Sequence, residues 1–165
     1  MKFVKGFCLM VVMLCVCFAV AGCGTTNNGA DHASKVAISK VSVSNVTSLT
    51  TDESLFPTTI TTTKNFVVLS VKMDNTTGFP IYTDTSRIKL NSTYTISDKV
   101  TVGFYSFPVG GMDVLGWNTT IASGTDKTML FIFETPSAMT TGTLTIGFQV
   151  QTDKGGVDIS KELSF

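Results

Sequence analysis

From Lys35 onward, apolar and polar residues alternate with a period of two, and no window carries the i, i+3, i+4 spacing of an amphipathic helix. In the clearest run, Val67, Leu69, Val71 and Met73 fall on one side, with Val68, Ser70 and Lys72 on the other. Thr, Val, Ile and Phe dominate these runs, as suits side chains that pack on a pleated surface. The pattern predicts strands over Val36–Ser44, Phe66–Asp74, Ile81–Leu90, Tyr94–Phe104, Thr128–Glu134, Thr143–Thr152 and Val157–Leu163. Leu130 and Ile132, and then Leu144, Ile146, Phe148 and Val150, repeat the alternation; with the Val67 set they are expected to form the core between two sheets. Gly- and Asn-bearing turns separate the runs at Asn75–Pro80, Ala122–Asp126 and Asp153–Gly156, the last reading as a hairpin. The prediction is an all-β, immunoglobulin-like antiparallel β-sandwich of about seven strands over residues 35–165.

The amino terminus breaks this pattern. Lys2 and Lys5 precede an apolar run of 14 residues, Phe7–Val20, followed by Ala21-Gly22-Cys23. That is the layout of a secretory signal, and the run falls short of the roughly 20 apolar residues a membrane span needs. Val20-Ala21-Gly22-Cys23 resembles the bacterial lipobox, which implies cleavage between Gly22 and Cys23 and acylation of Cys23. Two or more acyl chains, at about 0.8 kcal/mol per buried methylene, make an anchor that does not readily dissociate. Residues 1–22 then read as signal peptide. The small, polar stretch that follows reads as a lipidated flexible tether over residues 23–34. The expected location is a cell membrane or outer membrane, lipid-anchored and facing away from the cytoplasm.

Cys8, Cys15 and Cys17 lie inside the apolar run, and no cysteine follows Cys23, so the exported domain has no disulfide and depends on its core alone. Removing the signal leaves ten basic against twelve acidic residues, a net charge of about −2. No basic patch or charge run points to nucleic acid.

Three segments resemble a known family: Lys64-Asn65-Phe66-Val67-Val68-Leu69-Ser70-Val71-Lys72-Met73-Asp74-Asn75-Thr76; Arg87-Ile88-Lys89-Leu90; and Ser123-Gly124 through Phe131-Ile132-Phe133-Glu134-Thr135-Pro136. Their order and spacing are similar to the telokin-like, immunoglobulin-fold domain of unknown function found on bacterial and archaeal surface lipoproteins. The chain departs from that pattern by joining Leu90 to Tyr94 through Asn91-Ser92-Thr93, where the family usually has Asp and Gly, and by Ser123 where it usually has Pro. The resemblance implies an extracytoplasmic binding or scaffolding module with no established reaction.

Candidate chemistry is sparse. His32 is the only histidine and falls in the predicted tether, so neither a Ser-His-Asp triad nor a zinc site is expected. Glu134 reads as a carboxylate on a solvated sheet edge. Asp52-Glu53, Asp84 and the Asp153/Asp158 pair lack the dense alternation of a calcium loop and read as solvated turns. Asn45, Asn75, Asn91 and Asn118 each head an Asn-x-Ser/Thr triplet, which a Thr-rich chain also produces by chance. No catalytic residue, metal site or cofactor is expected. The unusual segment is Gly103–Trp117, which gathers aromatics, glycines and the only Trp. Two arrangements suit it: Phe104, Phe107 and Trp117 folded inward as a lid, the preferred one, or an exposed patch in which Tyr105, Phe107 and Trp117 contact a partner. The expected role is a non-enzymatic binding module whose partner is an unidentified protein or envelope component; a passive spacer or assembly component of the envelope is the alternative.

Overall fold

The long Thr- and Val-rich runs do form strands, and most are longer than the alternation alone marks. The computed structural model describes residues 28–52, 59–100 and 108–165. Within them, helix α1 (Asn28–Ser34) precedes ten strands: β1 Val36–Thr50, β2 Thr59–Asn75, β3 Ile81–Asp84, β4 Ile88–Leu90, β5 Pro108–Val109, β6 Met112–Val114, β7 Asn118–Ile121, β8 Thr125–Thr135, β9 Thr143–Thr152 and β10 Gly155–Ser164. They make two sheets, ordered β1-β2-β8-β6-β5 and β10-β9-β3-β7, with β4 also paired to β9. All pairings are antiparallel except β6 with β8. The all-β sandwich expected from the alternation is the observed fold.

Register identifies the face between the sheets. Val67, Leu69, Val71 and Met73 lie opposite Phe133, Phe131, Met129 and Lys127. This face meets the second sheet, because Asn75 at its end bonds the Ile121 carbonyl and Lys127 bonds the Thr119 hydroxyl, both on β7. From the second sheet come Ile81, Ile88, Leu90, Leu144, Ile146, Phe148 and Val150, all buried.

Leu130 and Ile132 are buried too, but not in the core between the sheets, where the alternation assigns them. They share the reverse face of the first sheet with Ser70 and Val68. Other side chains reach over that face: the Met112 thioether accepts a hydrogen bond from the Ser70 hydroxyl at 3.5 Å, and the Lys99 ammonium stands 6.0 Å from the Phe66 ring centre; Val114, beside Leu130 in the same sheet, is buried with it. The β5–β6 hairpin turns on Gly110 (φ 58°) and Gly111 (φ 74°), as a tight two-residue hairpin requires.

Two predicted strands are corrected. Ile81–Leu90 is broken into β3 and β4 by a 3₁₀ turn, Thr85–Arg87, because the Asp84 carboxylate accepts from the Ser86 amide at 2.9 Å and the Ser86 hydroxyl at 2.5 Å. Gly147 on β9 makes room for that turn: a Cβ there would come within 3.1 Å of the Arg87 backbone oxygen. Tyr94–Phe104 is not a strand over its described part. Tyr94 and Ile96 make single bridges to Leu90 and Phe133, and then Asp98–Val100 forms a 3₁₀ turn that the Ser97 hydroxyl starts by accepting from the Lys99 amide.

The Asn91-Ser92-Thr93 connection is a tight reversal in which Asn91 (φ 48°) and Ser92 (φ 59°) both occupy left-handed conformations. A non-glycine residue there carries roughly 1–2 kcal/mol of strain. Ser92→Gly is therefore expected to raise stability by about 0.5–1 kcal/mol, net of glycine's greater loss of chain entropy. A urea midpoint that falls on this substitution would contradict the assignment.

The predicted tether is also corrected. Residues 28–34 are helical, with His32 buried 5.8 Å from Phe79 in an edge-on ring contact and Gly29 facing Val157 of β10. Small residues and one flat ring let this short helix dock, so residues 28–34 belong to the folded domain. On the outer rim of the first sheet, β1 is interrupted by register shifts at Val41 and after Val46, and Val41 is 58% exposed.

Candidate functional site

Where β8 runs past the end of β6, its neighbour becomes the segment that follows the Asn91–Thr93 reversal: Ile96 bridges Phe133, and the Ser97 amide bonds the Ile132 carbonyl at 2.8 Å. The segment then turns away through Asp98–Val100. This departure opens a cleft of about 360 Å³ lined by Thr93, Tyr94, Thr95, Ile96, Ser97, Asp98, Lys99 and Glu134.

Glu134 is not the solvated edge carboxylate that its sequence position implies. It lies on β8 opposite Phe66, between two neighbours, with its side chain only 21% exposed. Its Oε1 accepts from the Lys99 ammonium at 2.8 Å and also from the Thr62 hydroxyl. The Lys99 bond, then the Thr62 bond, holds the Glu134 carboxyl below its ordinary value of 4.5. A charged carboxylate accepts, and the ammonium beside it donates, charge-assisted hydrogen bonds at one spot.

A second polar cluster lies on the other sheet. Arg87 bridges Asp84 (3.3 Å) and Asp158 (2.6 Å), and Gln149 also bonds Asp158. The Arg87 bond holds the Asp158 carboxyl below 3.8. Burial pushes Asp84 up, but bonds from Ser86 and Arg87 more than reverse this and leave it below 3.8 as well. Carboxyls with depressed folded values add stability above their unfolded pKa and lose it as pH falls through the folded value. Arg87→Met should therefore lower the melting temperature by a few degrees near pH 6, and the gap from wild type should close well below pH 3.8. A gap that stays constant across that window would show that Arg87 acts through packing instead.

The structure separates the residues singled out by sequence. Trp117 is 51% exposed, which corrects the inward lid expected of it; its carbonyl accepts from the Thr85 amide, so the chain at that point is tied to the β3–β4 turn. Tyr105, Phe107 and Phe104 lie outside the described residues, as do Gly22 and Cys23. His32, read as tether, is instead buried, and its Nδ1 has no hydrogen-bond partner. Asp84 and Asp158 do converge, but on a guanidinium. Among the described residues no group of three or more His, Cys, Asp or Glu could hold a metal, and no helix is long and apolar enough to cross a membrane. Of the four Asn-x-Ser/Thr triplets, Asn75 is fully buried and Asn45 is held by both the carbonyl and the amide of Met139.

Sequence reasoning missed the cleft because it ran a strand through Ser97-Asp98-Lys99. That tripeptide, poor in β-formers, was the available turn signal. No family model, curated protein or solved structure matches the chain.

Proposed function

We propose that the protein is a lipid-anchored lipoprotein exposed outside the cytoplasm, and that it acts as a non-enzymatic binding module. One observation carries this reading: the chain enters the domain at one end and the cleft lies at the other. β1 starts at Val36 opposite Asn75, beside the turns that follow Asn75, Ile121 and Thr152, whereas Glu134 and Lys99 sit near the far end of β8. A chain held at Cys23 would thus turn its cleft away from the bilayer. Docking of α1 leaves four residues between Cys23 and Asn28, a reach of at most about 18 Å, so the domain would ride close to the lipid surface. Trp117, exposed over half its surface, would be a contact for a protein partner, together with Tyr105 and Phe107 from the same stretch of sequence.

Cys23→Ser tests the anchor. The variant should lose the acyl-dependent mass increment and, once exported and trimmed elsewhere, leave the membrane fraction. Equal membrane retention with cleavage at the Gly22–Cys23 bond would refute lipidation. Trp117→Ala should weaken capture of an envelope protein without changing anchoring.

A further inference from the structure

We propose that the cleft formed by residues 93–99 and Glu134 binds neutral sugar rings, with Glu134 accepting from one ring hydroxyl and Lys99 donating to its neighbour. This rests on the binding-module reading and gives the cleft a ligand class.

Size comes first. At about 360 Å³ the cleft is at the small end of ligand sites, which run from roughly 300 to 1,000 Å³. It has room for a small ring or part of a disaccharide, not for a folded partner.

The lining sets the chemistry. Thr93, Tyr94, Thr95 and Ser97 on the lining all bear hydroxyls, groups that both donate and accept. The Thr93 hydroxyl already donates to the Asn91 carbonyl and the Ser97 hydroxyl accepts from the Lys99 amide, which leaves Tyr94 and Thr95 to turn toward a ligand made of hydroxyls. The Tyr94 hydroxyl and the second Glu134 oxygen, Oε2, have no hydrogen-bond partner among the described residues, while Oε1 is already taken by Lys99 and Thr62. Acceptor capacity is thus left over on a carboxylate that is locked in its charged form.

Charge then excludes an anion. Lys99 is paired with Glu134 at 2.8 Å, and Asp98 adds a further carboxylate to the rim, so two acids face one ammonium. An anionic ligand would meet a net negative rim, and a neutral ligand escapes that penalty. Because the ammonium and carboxylate are adjacent, the pair offers a donor and an acceptor side by side, and the vicinal hydroxyls of a sugar ring present the complementary pair. Charge-assisted hydrogen bonds of this kind are roughly twice as strong as neutral ones.

The test is saturation-transfer NMR on the full-length chain in detergent micelles, with cellobiose and N,N′-diacetylchitobiose as probes and fully O-methylated cellobiose as the control. Cellobiose or the chitobiose should receive saturation, with a dissociation constant on the order of 1 mM, and the methylated sugar should not. Glu134→Gln and Lys99→Met should each weaken binding about tenfold, the loss of one charge-assisted bond. Thr95→Val, at an exposed position that makes no hydrogen bond among the described residues, serves as a second variant if either of these melts early, and should weaken binding with the fold intact. Val41→Thr, at an exposed position on the outer rim of β1, should leave sugar binding unchanged. Equal saturation of the methylated sugar, or unchanged affinity in folded Glu134, Lys99 and Thr95 variants, overturns the assignment. No sugar binding, with Trp117-dependent capture of an envelope protein retained, overturns the ligand class alone; loss of both removes the binding-module reading with it.

Discussion

Ile132→Ala is expected to destabilise the domain by about 3 kcal/mol, within the range for emptying a buried isoleucine site. In a two-layer sandwich a residue on the outward face of a strand is solvated, and its truncation usually changes stability by less than about 0.5 kcal/mol. Here that face of β8 is covered. Ile132 is fully buried beside Val68, and Leu130 and Ser70 lie next to them, with Val114 beside Leu130 and the Met112 thioether on Ser70. Thr128 is a fair control, since it projects from the same face of the same strand, opposite Lys72, and is only half-buried. Urea unfolding of both alanine variants checks the claim. Should Ile132→Ala prove as mild as Thr128→Ala, the covering layer does not exist in solution.

The second large effect is expected at Asn75, whose side chain ties together the end of the domain where the chain enters. Its amide nitrogen donates to the carbonyls of Phe79 (2.8 Å), Ile121 (3.0 Å) and Ala122 (3.2 Å), and its Oδ1 accepts from the Thr77 amide (3.1 Å) and the Thr77 hydroxyl (2.8 Å). Asn75→Ala would strip partners from several groups in a region where Asn75 itself is wholly inaccessible, and each buried group so stranded costs about 1–3 kcal/mol. A loss of roughly 3 kcal/mol or more is expected. Asn75→Asp should be worse at neutral pH, because a carboxylate cannot donate to three carbonyls and would face their negative ends. Calorimetry of the two variants gives the order; an aspartate as stable as wild type would contradict the network. The same bonds leave no free amide hydrogen for glycan attachment in the folded chain.

What was legible in the sequence was whatever followed from a period of two. The Val67 set and the even-numbered positions of β9 point inward as the alternation requires, because each of those strands has a side to bury that the pattern alone can identify. β9 matches its predicted span, Thr143–Thr152, and Asp153-Lys154 makes the predicted hairpin, with Gly155 at φ 117° taking the conformation a larger residue would resist. Leu130 and Ile132 were misassigned for the same reason that the Val67 set was not. Alternation tells which residues share a face but not what covers it, and the side chains that reach over it, Met112 onto Ser70 and Lys99 onto Phe66, come from short segments that carry no period. The Glu134 cleft was hidden similarly. It depends on a pairing between Ile96 and Phe133, which are 37 positions apart, and on Lys99 crossing to Glu134. Small, polar neighbours mark His32 as tether; its burial comes with a contact to Phe79 that no local window contains.

The interrupted rim of β1 has one more consequence. Its shifts at Val41 and after Val46 divide the outer edge so that no unbroken run exceeds five residues, Val36–Lys40 and Ser42–Val46 being the longest. Stacked fibrils typically recruit segments of six or seven residues, and irregular, twisted borders discourage neighbouring molecules from annealing. A Ser- and Val-rich strand of 15 residues at a sheet boundary would otherwise invite amyloid-like polymerisation, and the two kinks deny a growing filament its template.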